Sequence, residues 1–267
     1  MLKLRLLTAL ILLPLIVALV LRAPTWGLAL ATGAVVVAGA WEWAHLSALG
    51  RFPAGPAFVL LVAILLVILW FTRADPRVVW TVMLLALAWW LFAIVWVSAW
   101  RHEFPRALKL ICGLLILLPA WLATIDLHAS VQGPRKLLFL LVLIWAADSA
   151  AYFAGRAFGQ HKLAPAVSPG KTWEGVVGGT VGLLVVAWLG AQWFLPLQGY
   201  WLFLICLVTG WWSIVGDLAE SLFKRQAGVK DSGGLFPGHG GVLDRIDSLT
   251  VAVPIFWLGL ALTGWWR

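Results

Sequence analysis

Pro56-Ala-Phe-Val-Leu60-Leu-Val-Ala-Ile-Leu65-Leu-Val-Ile-Leu-Trp70-Phe-Thr72 contains no charged residue and no polar alternation. A membrane-crossing helix needs about 20 mostly apolar residues, and a helix satisfies its own backbone groups where lipid offers no partner. The stretch therefore reads as a spanning helix. The same pattern recurs outward from it, at about 6–21, 27–43, 79–98, 107–126, 136–154, 175–195, 200–220 and 249–266. The runs are continuous rather than alternating, which argues against a strand barrel. The expected fold class is all-α: a polytopic integral membrane protein with about nine transmembrane helices.

Composition agrees. The 267-residue chain is 63% hydrophobic and only 11% charged, with a mean hydropathy of +0.99. A soluble fold of this size could not cover so much apolar surface. Trp41, Trp43, Trp211, Trp212, Trp265 and Trp266 lie near the ends of apolar runs, where indole rings favour the headgroup level. Cys112 and Cys206 lie inside apolar runs and suggest neither a disulfide nor a metal site. The run after Lys3 and Arg5 reaches Val20 with no small-residue cleavage site following, so it reads as a retained first helix rather than a signal peptide.

The net charge of +8 is read in the same setting. Basic residues fix topology and meet anionic lipid headgroups, so the bilayer is an expected partner and nucleic acid is not. With nine helices, thirteen of the nineteen Lys and Arg residues fall on one side, which the positive-inside rule makes cytoplasmic. The acids are uneven too. Seven of the eleven lie from Asp148 onward. Residues 1–135 read as a helical scaffold. Residues 136–267 read as a catalytic region with two cytoplasmic loops, about 155–174 and 221–248, that emerge on one face.

The second loop interleaves acids, bases and glycines. Asp244 and Asp247 are three apart and share one face if the last helix begins near Val242. Converging carboxylates there would suit a hard divalent cation such as Mg²⁺. Acids at a helix N-terminus are also favourable without any ligand, and the residues alone leave both readings open. Asp217 and Glu220 end an apolar run, with Ser221 and Lys224 continuing their face. An acid so near hydrocarbon faces a cavity or a partner, and Asp217 is favoured as a third metal carboxylate. Pro237-Gly-His-Gly-Gly241 is a turn in which backbone N–H groups can approach a phosphate, and His239 could bind a phosphate or a base, or cap the turn. Lys224, Arg225, Lys230 and Arg245 surround these acids. Cations for phosphate oxygens beside carboxylates for metal is the pairing of phosphoryl and nucleotidyl transfer.

The first loop contributes Asp148, an acid closing the apolar run Leu137–Ala147. Intramembrane acids are functional candidates by default, and an interhelical hydrogen bond is the alternative. Ser168, Lys171 and Thr172 precede the next helix. They resemble a P-loop ending, but the upstream glycines and strand are missing. A phosphate at that helix N-terminus remains an expectation.

Two patterns then resemble the signature of the phosphatidate cytidylyltransferases, or CDP-diacylglycerol synthases. One is Ser221-x-x-Lys224-Arg225-x4-Lys230-Asp231 followed by Pro237-x-His239-Gly240-Gly241-x-x-Asp244-Arg245-x-Asp247. The other is Ser168-Pro-x-Lys171-Thr172-x-Glu174-Gly175. The resemblance is sharp over about 145–253 and compositional before that. It implies CTP and phosphatidate as substrates, CDP-diacylglycerol and pyrophosphate as products, and Mg²⁺ held by Asp217, Asp244 and Asp247, with a second cation such as K⁺. It implies catalytic roles for Asp217, Lys224, Arg225, Asp244, Arg245 and Asp247. Substrate contacts are implied for Ser168, Lys171, Thr172, Glu174, Ser221, Lys230, Asp231, His239, Gly240 and Gly241. A bacterial inner membrane is the expected location, and a homodimer is compatible with it. Three other readings compete. A transporter would spread polar groups along a midplane path, a CDP-alcohol phosphatidyltransferase would carry a different aspartate motif, and a non-catalytic scaffold would leave residues 221–247 without a purpose.

Overall fold

A computed structural model describes residues 2–48, 54–100, 102–193, 200–234 and 240–264. Among them run α1 (Leu2–Arg22), α2 (Thr25–Leu46), α3 (Ala54–Thr72), α4 (Pro76–Val95), α5 (Arg106–Ala129), α6 (Gly133–Phe158), α7 (Trp173–Trp193), α8 (Tyr200–Gln226) and α9 (Leu243–Leu262). A π-helical turn, Trp96–Trp100, follows α4. Eight helices are long and apolar enough to cross a membrane, with a shorter apolar stretch at Leu10–Arg22. The expected all-α membrane class is what the chain adopts.

The outer faces are those lipid requires. Phe71 on α3 is 77% exposed and Leu262 on α9 is 78% exposed, an arrangement costly in water and neutral in hydrocarbon. Trp43, Trp90, Trp96, Trp257 and Phe256 lie fully inside. The indole of Trp43 donates to the Lys109 carbonyl at 2.8 Å, and that of Trp257 to Asp126 Oδ2 at 2.8 Å. Trp43 is thus a core residue rather than a headgroup anchor. A buried indole N–H needs an acceptor, and here the backbone of α5 supplies one. Trp41 and Trp211 do stand exposed, while Trp265 and Trp266 lie outside the described residues.

Local signals set several boundaries. Asp75 accepts from Arg77 N at 2.9 Å and Pro76 occupies the first helical position, opening α4. Two ends differ from the hydropathy reading. α8 continues past Glu220 to Gln226, and α9 begins at Leu243 rather than near 249. Their polar ends meet directly, Lys224 of α8 bonding Asp244 of α9 at 2.6 Å. The antiparallel hairpin β1 (Lys162–Ala164) and β2 (Ser168–Thr172) was not expected. Its strands are too short and polar to show an alternating pattern.

Candidate active site

Two close helix approaches build the site. Along α6 and α7, Gly179 and Gly182 sit so near the Ala147 and Ala146 carbonyls that an added Cβ would lie 3.2 Å from each. Such small-residue seams let helix backbones pack closely in membranes. On α8, a Cβ at Gly216 would lie 2.8 Å from the Asp247 carbonyl and 2.6 Å from Val251 Cγ1. That contact draws α9 against α8 at the residue next to Asp217. The result is a cavity of about 530 Å³ between α6, α7, α8, α9 and the hairpin. Asp148, Lys171, Asp217, Asp244 and Asp247 occupy its polar part, and Leu163, Val176, Leu183, Trp211 and Ile214 its apolar part.

Charge within it is paired in two ways. Lys171 Nζ meets Asp217 Oδ2 at 2.6 Å, each side chain a quarter or more exposed (25% and 30%). Lys224 Nζ lies between Glu220 Oε2 at 2.8 Å and Asp244 Oδ1 at 2.6 Å, all three side chains at 12% exposure or less. Ser221 Oγ donates to Asp217 Oδ1 at 3.3 Å. Asp244 Oδ2 accepts from Ser232 N at 3.0 Å, Ser232 Oγ at 3.1 Å and Gly241 N at 2.8 Å. Asp244 therefore ties the glycine-rich segment to the start of α9. Gly240 turns at φ +80°, in the left-handed region that glycine tolerates.

Of the residues singled out in the sequence, Ser168, Lys171, Thr172, Asp217, Asp244 and Asp247 share the cavity wall. Thr172 Oγ1 also accepts from Gly175 N at 3.1 Å, the N-cap bond that starts α7. Glu174 turns instead to His161, whose Nδ1 is 2.6 Å from Oε1 and whose backbone N–H also donates to it. Arg225 and Arg245 are exposed and off the cavity wall. Each directly follows a residue that faces inward, and consecutive helical residues point about 100° apart. Arg225 Nε reaches the Val167 carbonyl at 3.4 Å. Lys230 and Asp231 are exposed beyond the end of α8. His239 lies outside the described residues.

Glu42 was not legible as part of this site. It is a lone acid on α2, 7% exposed, and its carboxylate accepts from Ser232 Oγ, Val242 N and Leu243 N, each at 2.9 Å. Nothing in its own neighbourhood, Trp41 and Trp43, points to a loop 200 residues away.

The oxygen-only donors of Asp217, Asp244 and Asp247 have the chemistry a hard divalent cation takes. Among the described residues, however, no three His, Cys, Asp or Glu side chains are grouped closely enough to hold a metal ion. Two ammonium groups stand on the same carboxylates, Lys171 on Asp217 and Lys224 on Asp244. These two lysines offset only part of the charge of the three carboxylates.

The sequence model of the Cytidylyltransferase family matches residues 3–263. The phosphatidate cytidylyltransferase of Pseudomonas aeruginosa is 43% identical, the match covering 99% of each chain. That of Haemophilus influenzae is 37% identical over 96% of this chain and 97% of its own. That of Brucella melitensis is 47% identical over 47% of each chain.

Proposed function

The chain belongs to the cytidylyltransferase family, and on that premise we propose that its cavity transfers CMP from CTP to phosphatidate, giving CDP-diacylglycerol and pyrophosphate. The observation that carries this reading is a cavity lined by both charged and apolar side chains, in a bundle of membrane-length helices. It suits one water-soluble polyanion and one lipid. A transporter reading gains nothing from a polar cluster confined to one end of the bundle.

The phosphate monoester of phosphatidate has a second pKa of about 6, so it arrives largely as a dianion. One of its oxygens attacks the α-phosphorus of CTP. The bond from that phosphorus to the bridging oxygen breaks, and pyrophosphate leaves with the electron pair. No general base is needed, so the chain's task is to position the reactants and offset their charge. Lys171 can exchange its single carboxylate partner for a phosphate oxygen, because the pair is open to the cavity. Lys224 and Ser232 hold Asp244 in place. The carboxylates of Asp217, Asp244 and Asp247 would hold Mg²⁺. When bound, the ion would offset charge on the triphosphate and on departing pyrophosphate. The positive-inside count and the bacterial relatives support an inner membrane with the cavity facing the cytoplasm.

Pyrophosphate release from detergent-purified protein tests the reading, with CTP, phosphatidate, Mg²⁺ and K⁺ omitted in turn and a chelator added. Release that needs CTP, phosphatidate and Mg²⁺ is expected. Release without phosphatidate would remove the lipid acceptor, and release in the presence of chelator would remove the metal.

A further inference from the structure

We propose that Glu42, on α2, is a positioning residue for the transfer reaction: it caps α9 from outside and fixes where Asp244 and Asp247 stand. The inference deepens the reading above and rests on it for its kinetic part.

The first N–H groups of a helix have no intrahelical acceptor. The N-cap of α9, Val242, offers no side-chain cap of its own. Glu42 supplies the missing acceptors. Oε1 takes Val242 N, and Oε2 takes Leu243 N and Ser232 Oγ. A carboxylate at this end is also favoured by the helix dipole. All three partners are uncharged donors, so the carboxylate's burial is offset by backbone and hydroxyl groups of the site itself. The Ser232 backbone N–H donates to Asp244 Oδ2, its single hydroxyl proton is shared between Glu42 Oε2 and that oxygen, and Asp244 Oδ1 holds Lys224. A continuous line therefore runs from α2 through Ser232 and Asp244 to α8.

The glycines record the same contact. A Cβ on Gly233 would collide with Glu42 Oε1, and one on Gly241 would lie 2.5 Å from Glu42 Oε2. These two positions are small because the carboxylate occupies the space beside them. α2 is in turn immobilised next to Glu42, where Trp43 packs edge-on against Phe223 of α8 at 4.7 Å and bonds to the Lys109 carbonyl. Glu42 thus stands on a rigid helix and reads out onto the segment that leads into α9.

Glutamine cannot replace it. Its amide keeps one acceptor oxygen, and its NH₂ would face an N–H or O–H donor. E42Q should lower kcat about tenfold or more, equivalent to about 1.4 kcal/mol in the barrier, while KM for phosphatidate stays within about threefold. Hydrogen exchange, followed by mass spectrometry, should rise in peptides spanning 230–247 and not in those from α3 to α5. S232A removes only the shared hydroxyl and should lower kcat less. E42Q/S232A should lose less than the sum of the two single variants, because both changes break the Ser232–Glu42 bond. Wild-type kcat and exchange in E42Q would overturn the proposal. So would exchange that rises throughout the chain, which marks a general loss of stability. If E42Q does not fold, S232A decides: a fall in kcat with local exchange supports the clamp, and unchanged kcat overturns it. Absence of CTP- and phosphatidate-dependent release from the wild type would instead sink the reaction, and the exchange comparison would still judge the clamp.

Discussion

Two lysines bond acids of the cavity wall or their neighbours and are held differently: Lys171 lines the cavity and Lys224 lies behind Asp244. Lys171, on the hairpin, has one carboxylate partner, and both groups keep access to the cavity. Lys224, on α8, is enclosed between two carboxylates and nearly sealed. The first arrangement is exchangeable, since an arriving phosphate oxygen can take the place of Asp217 at little desolvation cost. The second is a fixed part of the frame, since removing either partner would leave a charge stranded in a poorly solvated place. Two identical side chains are thus divided into a binding group and a structural one by burial and partner number.

The comparison can be broken at several points. Lys224→Met should cost the most, about 3–5 kcal/mol for a buried pair losing one partner, seen as a lower thermal midpoint in detergent together with lost turnover. A variant that keeps wild-type stability would make Lys224 as exchangeable as Lys171. Adding Glu220→Gln to it should restore part of the midpoint, because one of the two stranded acids is neutralised. Lys171→Ala should leave the midpoint nearly unchanged. It should lower kcat/KM by about 10- to 100-fold, the scale of about 1.5–3 kcal/mol for a hydrogen bond to a charged group. A large stability loss there would put Lys171 in the frame instead. Ser221→Ala removes one bond to Asp217, so a loss of about 0.5–1.5 kcal/mol is expected, read as a modest drop in rate. Glu174→Gln should change least, because solvent screens its contact with the largely exposed His161. A rate loss beyond a few-fold would return Glu174 to the substrate site that the family resemblance implied.

The two glycine-bearing approaches sharpen the same contrast from the backbone side. Gly216 brings α9 to α8 beside Asp217, and Gly233 and Gly241 make room for Glu42. In each case the sequence shows only a glycine, and the neighbour that requires it comes from another helix.

The sequence by itself determined the membrane class, because apolar runs of spanning length have no other stable home. It determined the helix positions to within a few residues. It also determined the polar face of α8, because Asp217, Glu220, Ser221 and Lys224 fall at helical spacing. Tertiary structure decided what each of those groups does. Arg225 and Arg245 match the family signature as fully as Lys224 and Asp244, yet they point away from the cavity, since adjacent helical residues diverge by about 100°. The hairpin that carries Lys171 left no periodic trace over strands of three and five residues. Glu42 joined the site only through folding, because a hydrogen bond across 200 residues depends on how α2 and α9 pack, and hydropathy and local spacing carry no record of that.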